Sequence, residues 1–239
     1  MNTQFISVSL LLNVLYSNFL CGQNIGTVEI SEQAIHSWEV DNISEYEGFY
    51  KFGEGEGESD LKLFFADSII VGQIMEGYWE DDTDFWKWRF KNLTNIKIDQ
   101  NGLFTSDQHT GQFVTYLDTN RTYFCLKINN PWWDWLDDGR FDVGVRLLVN
   151  ARLYQGDYPQ TSSRLLSIEE LKNLNAFTLK IMRNEVYARY GYIFLEGSEM
   201  ETYFKKTKWY RPHYKEVSNF LTEIELRNIQ TIQRIEHGR

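Results

Sequence analysis

Three indoles fall within four residues in Pro131-Trp132-Trp133-Asp134-Trp135, followed closely by Asp137, Asp138 and Arg140. On a surface loop, indole faces can stack on sugar rings while a carboxylate accepts hydrogen bonds from hydroxyls. Trp132, Trp133, Trp135 and Asp137 are therefore the candidate ligand-binding set. The other fate of such a cluster is to plug one end of a β domain, and in a small β fold that is the commoner one.

Two acidic runs, Glu54, Glu56, Glu58 and Asp60, and Asp81, Asp82 and Asp84, bring carboxylates together. Calcium takes about six to eight oxygens from a shaped loop. Neither run has the Asp-x-Asp-x-Asp-Gly spacing of a dedicated calcium loop, so a solvated acidic face is expected. The four histidines, His36, His109, His213 and His237, share no metal-ligand spacing, and neither a metal nor a cofactor is expected. Gly-x-Ser-x-Gly, a phosphate-binding loop and His-Glu-x-x-His are all missing from the sequence. In an acidic chain any two carboxylates can imitate a glycosidase pair, so pairs of them point to no reaction.

These groups need a frame, and the chain supplies two kinds. Its 239 residues suffice for one large domain or two small ones. From Gln160 onward there are 13 Lys+Arg and 10 Asp+Glu; the stretch before it carries 11 and 24. An acidic first part argues against nucleic acid as a partner, because phosphate binding needs clustered Lys and Arg. The opposite charges of the two parts predict a salt-sensitive contact between them.

Residues 1–22 hold no charged side chain, and the apolar run Leu10–Leu15 is too short to span a bilayer. They read as a secretory signal cleaved near Gly22, which leaves no transmembrane span in the mature chain. A lipidated Cys21 is the other reading of the same segment. Without Cys21, Cys125 has no partner for an intrachain disulfide and is expected to be a buried packing residue.

Short strands are expected from residue 44 to residue 154. Tyr46–Phe52, Leu61–Ala66, Ile69–Met75, Phe85–Phe90, Leu93–Asp99, Phe113–Leu117, Thr122–Ile128 and Phe141–Leu153 are rich in β-branched and aromatic residues. Asn101-Gly102 marks a hairpin. In Phe85–Phe90, period-two alternation puts Trp86, Trp88 and Phe90 on one face. Ser31–Trp38 is expected to form a helical turn or two, and Tyr154–Ser163 a linker.

From residue 165 to 236 the period becomes helical. Ser167, Ser198 and Thr222 each precede a Glu by three residues, the pattern of a capping box. Asn175 can cap a helix whose Leu179, Met182, Val186 and Tyr190 share one face, and Gly191 suits its left-handed stop. The fold class expected is α+β: an N-terminal antiparallel β-barrel or sandwich followed by a small all-helical domain.

Tyr187-Ala188-Arg189-Tyr190-Gly191 resembles the Tyr-Ala-Arg-His-Gly signature of the YARHG domain family, with Tyr190 in place of His. Arg183-Asn184-Glu185, Tyr192-Ile193-Phe194, Tyr203-Phe204, Trp209-Tyr210-Arg211-Pro212, Asn228-Ile229 and Glu236 resemble its surrounding pattern. The resemblance implies a bacterial, extracytoplasmic protein, periplasmic or secreted, and no particular activity. Tyr187, Arg189, Gly191 and Trp209 are expected to be structural. The expected function is a non-catalytic binding or interaction module of the cell envelope, its partner a protein or a cell-wall glycan. The alternative is an envelope hydrolase that attacks glycan or peptide with carboxylates.

Overall fold

The computed structural model describes residues 23–25, 28–30, 32–53, 58–80, 85–118, 121–132, 141–147 and 154–238. The apolar segment 1–22, with the expected signal and Cys21, lies outside them. The strands, in chain order, are β1 (Gln23–Ile25), β2 (Val28–Ile30), β3 (Ile35–Ser37), β4 (Gly48–Phe52), β5 (Ser59–Ala66), β6 (Ile69–Trp79) and β7 (Trp86–Asn92). They continue with β8 (Lys97–Ile98), β9 (Leu103–Thr105), β10 (Thr110–Asp118), β11 (Arg121–Asn129) and β12 (Phe141–Leu147). β1 and β2 pair with each other. The rest form one antiparallel sheet in the order β7-β6-β5-β4-β12-β11-β10-β9-β8, with β3 also on β10. Among the described residues no strand pair joins β7 to β8, so the sheet is open.

Alternation along the strands sorts the side chains. On the inner face, Tyr50, Phe52, Leu61, Leu63, Ile74, Phe113, Leu126 and Ile128 share one core with Trp38, Tyr46, Leu93 and Phe104. The outer face is covered in two places. Ile30 packs on Val114, Cys125, Phe141 and Val143. Tyr154 and Ile224 pack on Phe49, Phe64, Ala66, Ile69 and Val71. Cys125 is fully buried, and burial pushes its thiol up to about 12, so it is a packing residue.

The helical part comprises α1 (Gln160–Ser163), α2 (Ile168–Leu171), α3 (Ala176–Arg189), α4 (Glu199–Phe204) and α5 (Glu223–His237). Each of α2 to α5 begins at an expected cap. Ser167, Asn175, Ser198 and Thr222 accept from the backbone N–H of Glu170, Thr178, Glu201 and Glu225. The reciprocal half of the capping box forms only at Thr222. Glu170 turns instead to Arg164, and Glu201 to the Gly197 N–H and Lys205. Leu179 and Met182 pack with Leu171 and Ile232, and Val186 and Tyr190 with Leu221 and Ile229, as their spacing predicts.

Two expectations are corrected. Ser31–Trp38 forms one 3-10 turn at Glu32–Ala34 and then strand β3, because Ile35, His36 and Ser37 find an open ladder on β10. Tyr154–Ser163 is no linker: Tyr154 is buried, and Asn228 of α5 donates to the Thr161 and Arg164 carbonyls. Its turn-forming Gly156 and Pro159 shape a packed segment. The contact between sheet and helices is mainly aromatic and hydrogen-bonded, with Lys62 of β5 and Glu225 of α5 attracting each other across it. Among the described residues each ion pair stays within its own part of the chain.

Asp142 lies on the inner face opposite Ile128, 5 % exposed, with its carboxylate accepting the Val143 N–H. Burial pushes its carboxyl up to about 6 from the ordinary 3.8. A folded pKa above the unfolded one means that ionisation penalises the native state. The penalty is absent below the unfolded value and fully present above about pH 6. Asp142→Asn, which keeps an acceptor for Val143, is expected to add about 2 kcal/mol at pH 7 and almost nothing at pH 4. Urea unfolding at both pH values checks this; an equal gain at the two would contradict it.

Candidate functional site

A cleft of about 630 Å³ runs between the outer face of β4–β7 and the helical part. The alternation of β7 supplies one wall: Trp86, Trp88 and Phe90 all face it. Gly77 on β6 makes room for this wall, since a Cβ there would strike the Trp86 indole. Phe49 of β4, Lys62 of β5 and Met75 of β6 come from the same sheet face. The opposite wall is the end of α3, Ala188–Gly191, with Trp209, Arg211, His213 and Tyr214.

The end of α3 is held rigidly. Tyr190 donates from its hydroxyl to Glu225 Oε2 at 2.7 Å and accepts from Gln73 Nε2 of β6 at 3.1 Å. Gln73 also reaches the Phe220 carbonyl at 2.7 Å, and Asn92 of β7 the Leu221 carbonyl at 2.9 Å. Tyr190 thus pins the helical part to the sheet, and burial holds its phenol well above the ordinary range. Gly191 takes φ +73°, the left-handed stop foreseen for it. Its carbonyl accepts the His213 and Tyr214 N–H groups at 2.7 and 2.9 Å, and a Cβ would lie 2.7 Å from the Arg211 carbonyl. One glycine therefore ends the helix and seats the far wall.

Arg189 is consumed structurally. Nε donates to the Gln155 carbonyl at 2.7 Å. One terminal nitrogen donates to Thr161 and Ser162 at 2.8 and 2.7 Å. The other donates to the Tyr158 carbonyl at 2.9 Å and to Glu185. Glu185 in turn accepts the Asp157 and Tyr158 N–H groups at 2.8 and 2.7 Å. The ion pair joins α3 to the segment from residue 154 onward, not merely two turns of one helix. Arg183 pairs with Glu236 of α5 at 2.9 Å, and Tyr187 and Trp209 pack against aromatic neighbours.

Lys62 is the unusual member of the cleft. Its ammonium lies 5.4 Å from the Tyr154 ring, 5.7 Å from Phe90 and 5.8 Å from Phe49. Burial lowers its pKa, which Glu225 and Asp60 raise in part. His213 is exposed overall, but the partial cover of its ring lowers its pKa, with Lys87 adding to the effect.

Of the expected ligand set only Trp132 is among the described residues, and it does not line this cleft. Trp132 is half-buried at the inner core; its indole donates to Ser59 at 3.0 Å and packs edge-on against Phe52. Trp133, Trp135 and Asp137 are outside the described residues, as are Glu54, Glu56, Asp81, Asp82 and Asp84. Among the described residues no three His, Cys, Asp or Glu side chains are grouped as a metal site requires. The wall of Trp86 and Trp88 was readable from alternation, though not as a site. Lys62 had one signal: a charge on the outer face of a strand with Phe64 and Ala66, where burial was to be expected.

Residues 154–237 match the family model of the YARHG domain. The match includes Tyr154 and α1, the segment clamped by Arg189 and Glu185. Neither a curated protein nor a solved structure was found to match the chain. Among the described residues no helix is long and apolar enough to cross a membrane.

Proposed function

We propose that this chain is a non-catalytic, extracytoplasmic binding module of the bacterial envelope, with its ligand in the cleft between sheet and helices. The carrying observation is the make-up of the cleft: aromatic walls with basic groups, and no Asp or Glu among the described residues that line it. Concave, largely apolar sites with a few convergent polar groups are where small ligands bind. A lining of this kind favours binding over hydrolysis by paired carboxylates, which needs two acids flanking the bond. The location is supported by the YARHG match and by the uncharged apolar segment at residues 1–22.

Titration with soluble peptidoglycan fragments, followed by Trp fluorescence, tests this reading. A saturable change is expected, weakened about tenfold by Trp88→Ala. The fragments should be recovered uncut; new reducing ends would favour the hydrolase. No saturable change with any fragment would count against a glycan ligand.

A further inference from the structure

We propose that Lys62 is the charge anchor of the cleft and takes the carboxylate of an acidic sugar whose ring stacks on the tryptophan walls. This rests on the cleft being the ligand site. Lys62 is only 8 % exposed, yet it lines the cleft. Among the described residues its ammonium has neither an ion-pair partner within 4.0 Å nor a hydrogen-bond acceptor, although the Glu225 and Asp60 carboxylates attract it from beyond that range. The rings of Tyr154, Phe90 and Phe49 surround it and attract the charge, but they leave its N–H donors without acceptors. A buried charge held this way gains from an anion that reaches it.

The other cations of the cleft do not compete for that role. Every N–H of Arg189 is already directed at a carbonyl, hydroxyl or carboxylate. Arg211 and His213 are exposed at the rim. A single fixed ammonium matches one carboxylate better than a phosphate dianion. Trp86, Trp88 and Trp209 line the cleft, and indoles are the side chains on which the C–H side of a sugar ring stacks. Acidic sugars come from two sources, the muramic acid of cell wall and the uronic acids of polysaccharides, and both carry the required group.

The test compares N-acetylmuramic acid with N-acetylglucosamine, and glucuronic acid with glucose, by NMR titration of the full chain. At least one acid should bind tenfold or more tightly than its neutral counterpart, the range of a hydrogen bond to a charged group. Which acid does so identifies the source. Lys62→Met should abolish the preference of acid over neutral sugar. In the wild-type protein the Lys62 side-chain resonance should move with the acid and not with the neutral sugar, which keeps the test intact if the variant misfolds. Equal binding of acid and neutral sugar would overturn the role of Lys62 and leave the cleft reading standing. Binding of none of them would overturn both. An unmoved Lys62 resonance during acid binding would mean that Lys62 serves only the neighbouring Glu225, and would also overturn it.

Discussion

Arg189→Met is expected to destabilise the folded protein by about 3–5 kcal/mol, the range for removing one partner of a buried ion pair. The side chains of Arg189 and Glu185 are 6 % and 1 % exposed, and Met fills similar space without any donor. Glu185 would keep its two backbone donors, from Asp157 and Tyr158, but lose its counter-charge. The carbonyls of Gln155 and Tyr158 would lose their guanidinium partner in the same step. Burial already lowers the Arg189 pKa, which Glu185 offsets, so each charge depends on the other. Urea unfolding of Arg189→Met, Glu185→Gln and the double variant measures this dependence. The double variant should fall well short of the sum of the two. A loss below about 1 kcal/mol for Arg189→Met would rule out the clamp.

Tyr46→Ala is expected to cost about as much, roughly 3–5 kcal/mol, by opening the inner core. Tyr46 is fully buried, stacked on Phe113 with centroids 4.1 Å apart and edge-on to Trp38 at 4.9 Å. Its hydroxyl donates to the Trp38 carbonyl at 2.6 Å, and the Gln100 carbonyl lies 3.1 Å away. These contacts tie the 3-10 turn at Ile43–Tyr46 to the chain after β3 and to the turn before β9. Tyr46→Phe keeps the ring and loses only the hydroxyl, so about 1–2 kcal/mol is expected. Thermal or urea unfolding of both variants separates the two contributions. Equal losses would mean that the hydroxyl, not the ring, carries the site.

Strands and caps were legible in the sequence because they depend on neighbours. Trp86, Trp88 and Phe90 share a face through backbone geometry alone, and Thr222 with Glu225 forms its box within four residues. Extents were less legible. β6 runs to Trp79, beyond Met75, because β7 offers it partners down to Trp86. Of Leu93–Asp99 only Lys97 and Ile98 pair, while Leu93 is drawn into the core. At Asn101-Gly102 only the glycine takes a positive φ.

The site was less visible still, because sequence-distant partners define it. Nothing near Tyr190 announces Gln73 or Glu225, and nothing near Lys62 announces Tyr154. Net charge said nothing about which groups meet at the contact between the two parts. It sums every charged side chain, whereas the hydrogen bonds of the contact come from Tyr190, Gln73, Asn92 and Tyr214.

The sheet ends at β7, and Tyr214 covers that end, its hydroxyl donating to the Trp88 carbonyl at 2.8 Å. Asn92, the last residue of the strand, is occupied by the Phe220 and Leu221 carbonyls. An uncovered edge is a template on which a second molecule can lay a strand of its own. The helical part therefore also shields part of this edge. A chain that stops before Tyr154 would present β7, with the indoles of Trp86 and Trp88 unshielded, as a place for aggregation to begin.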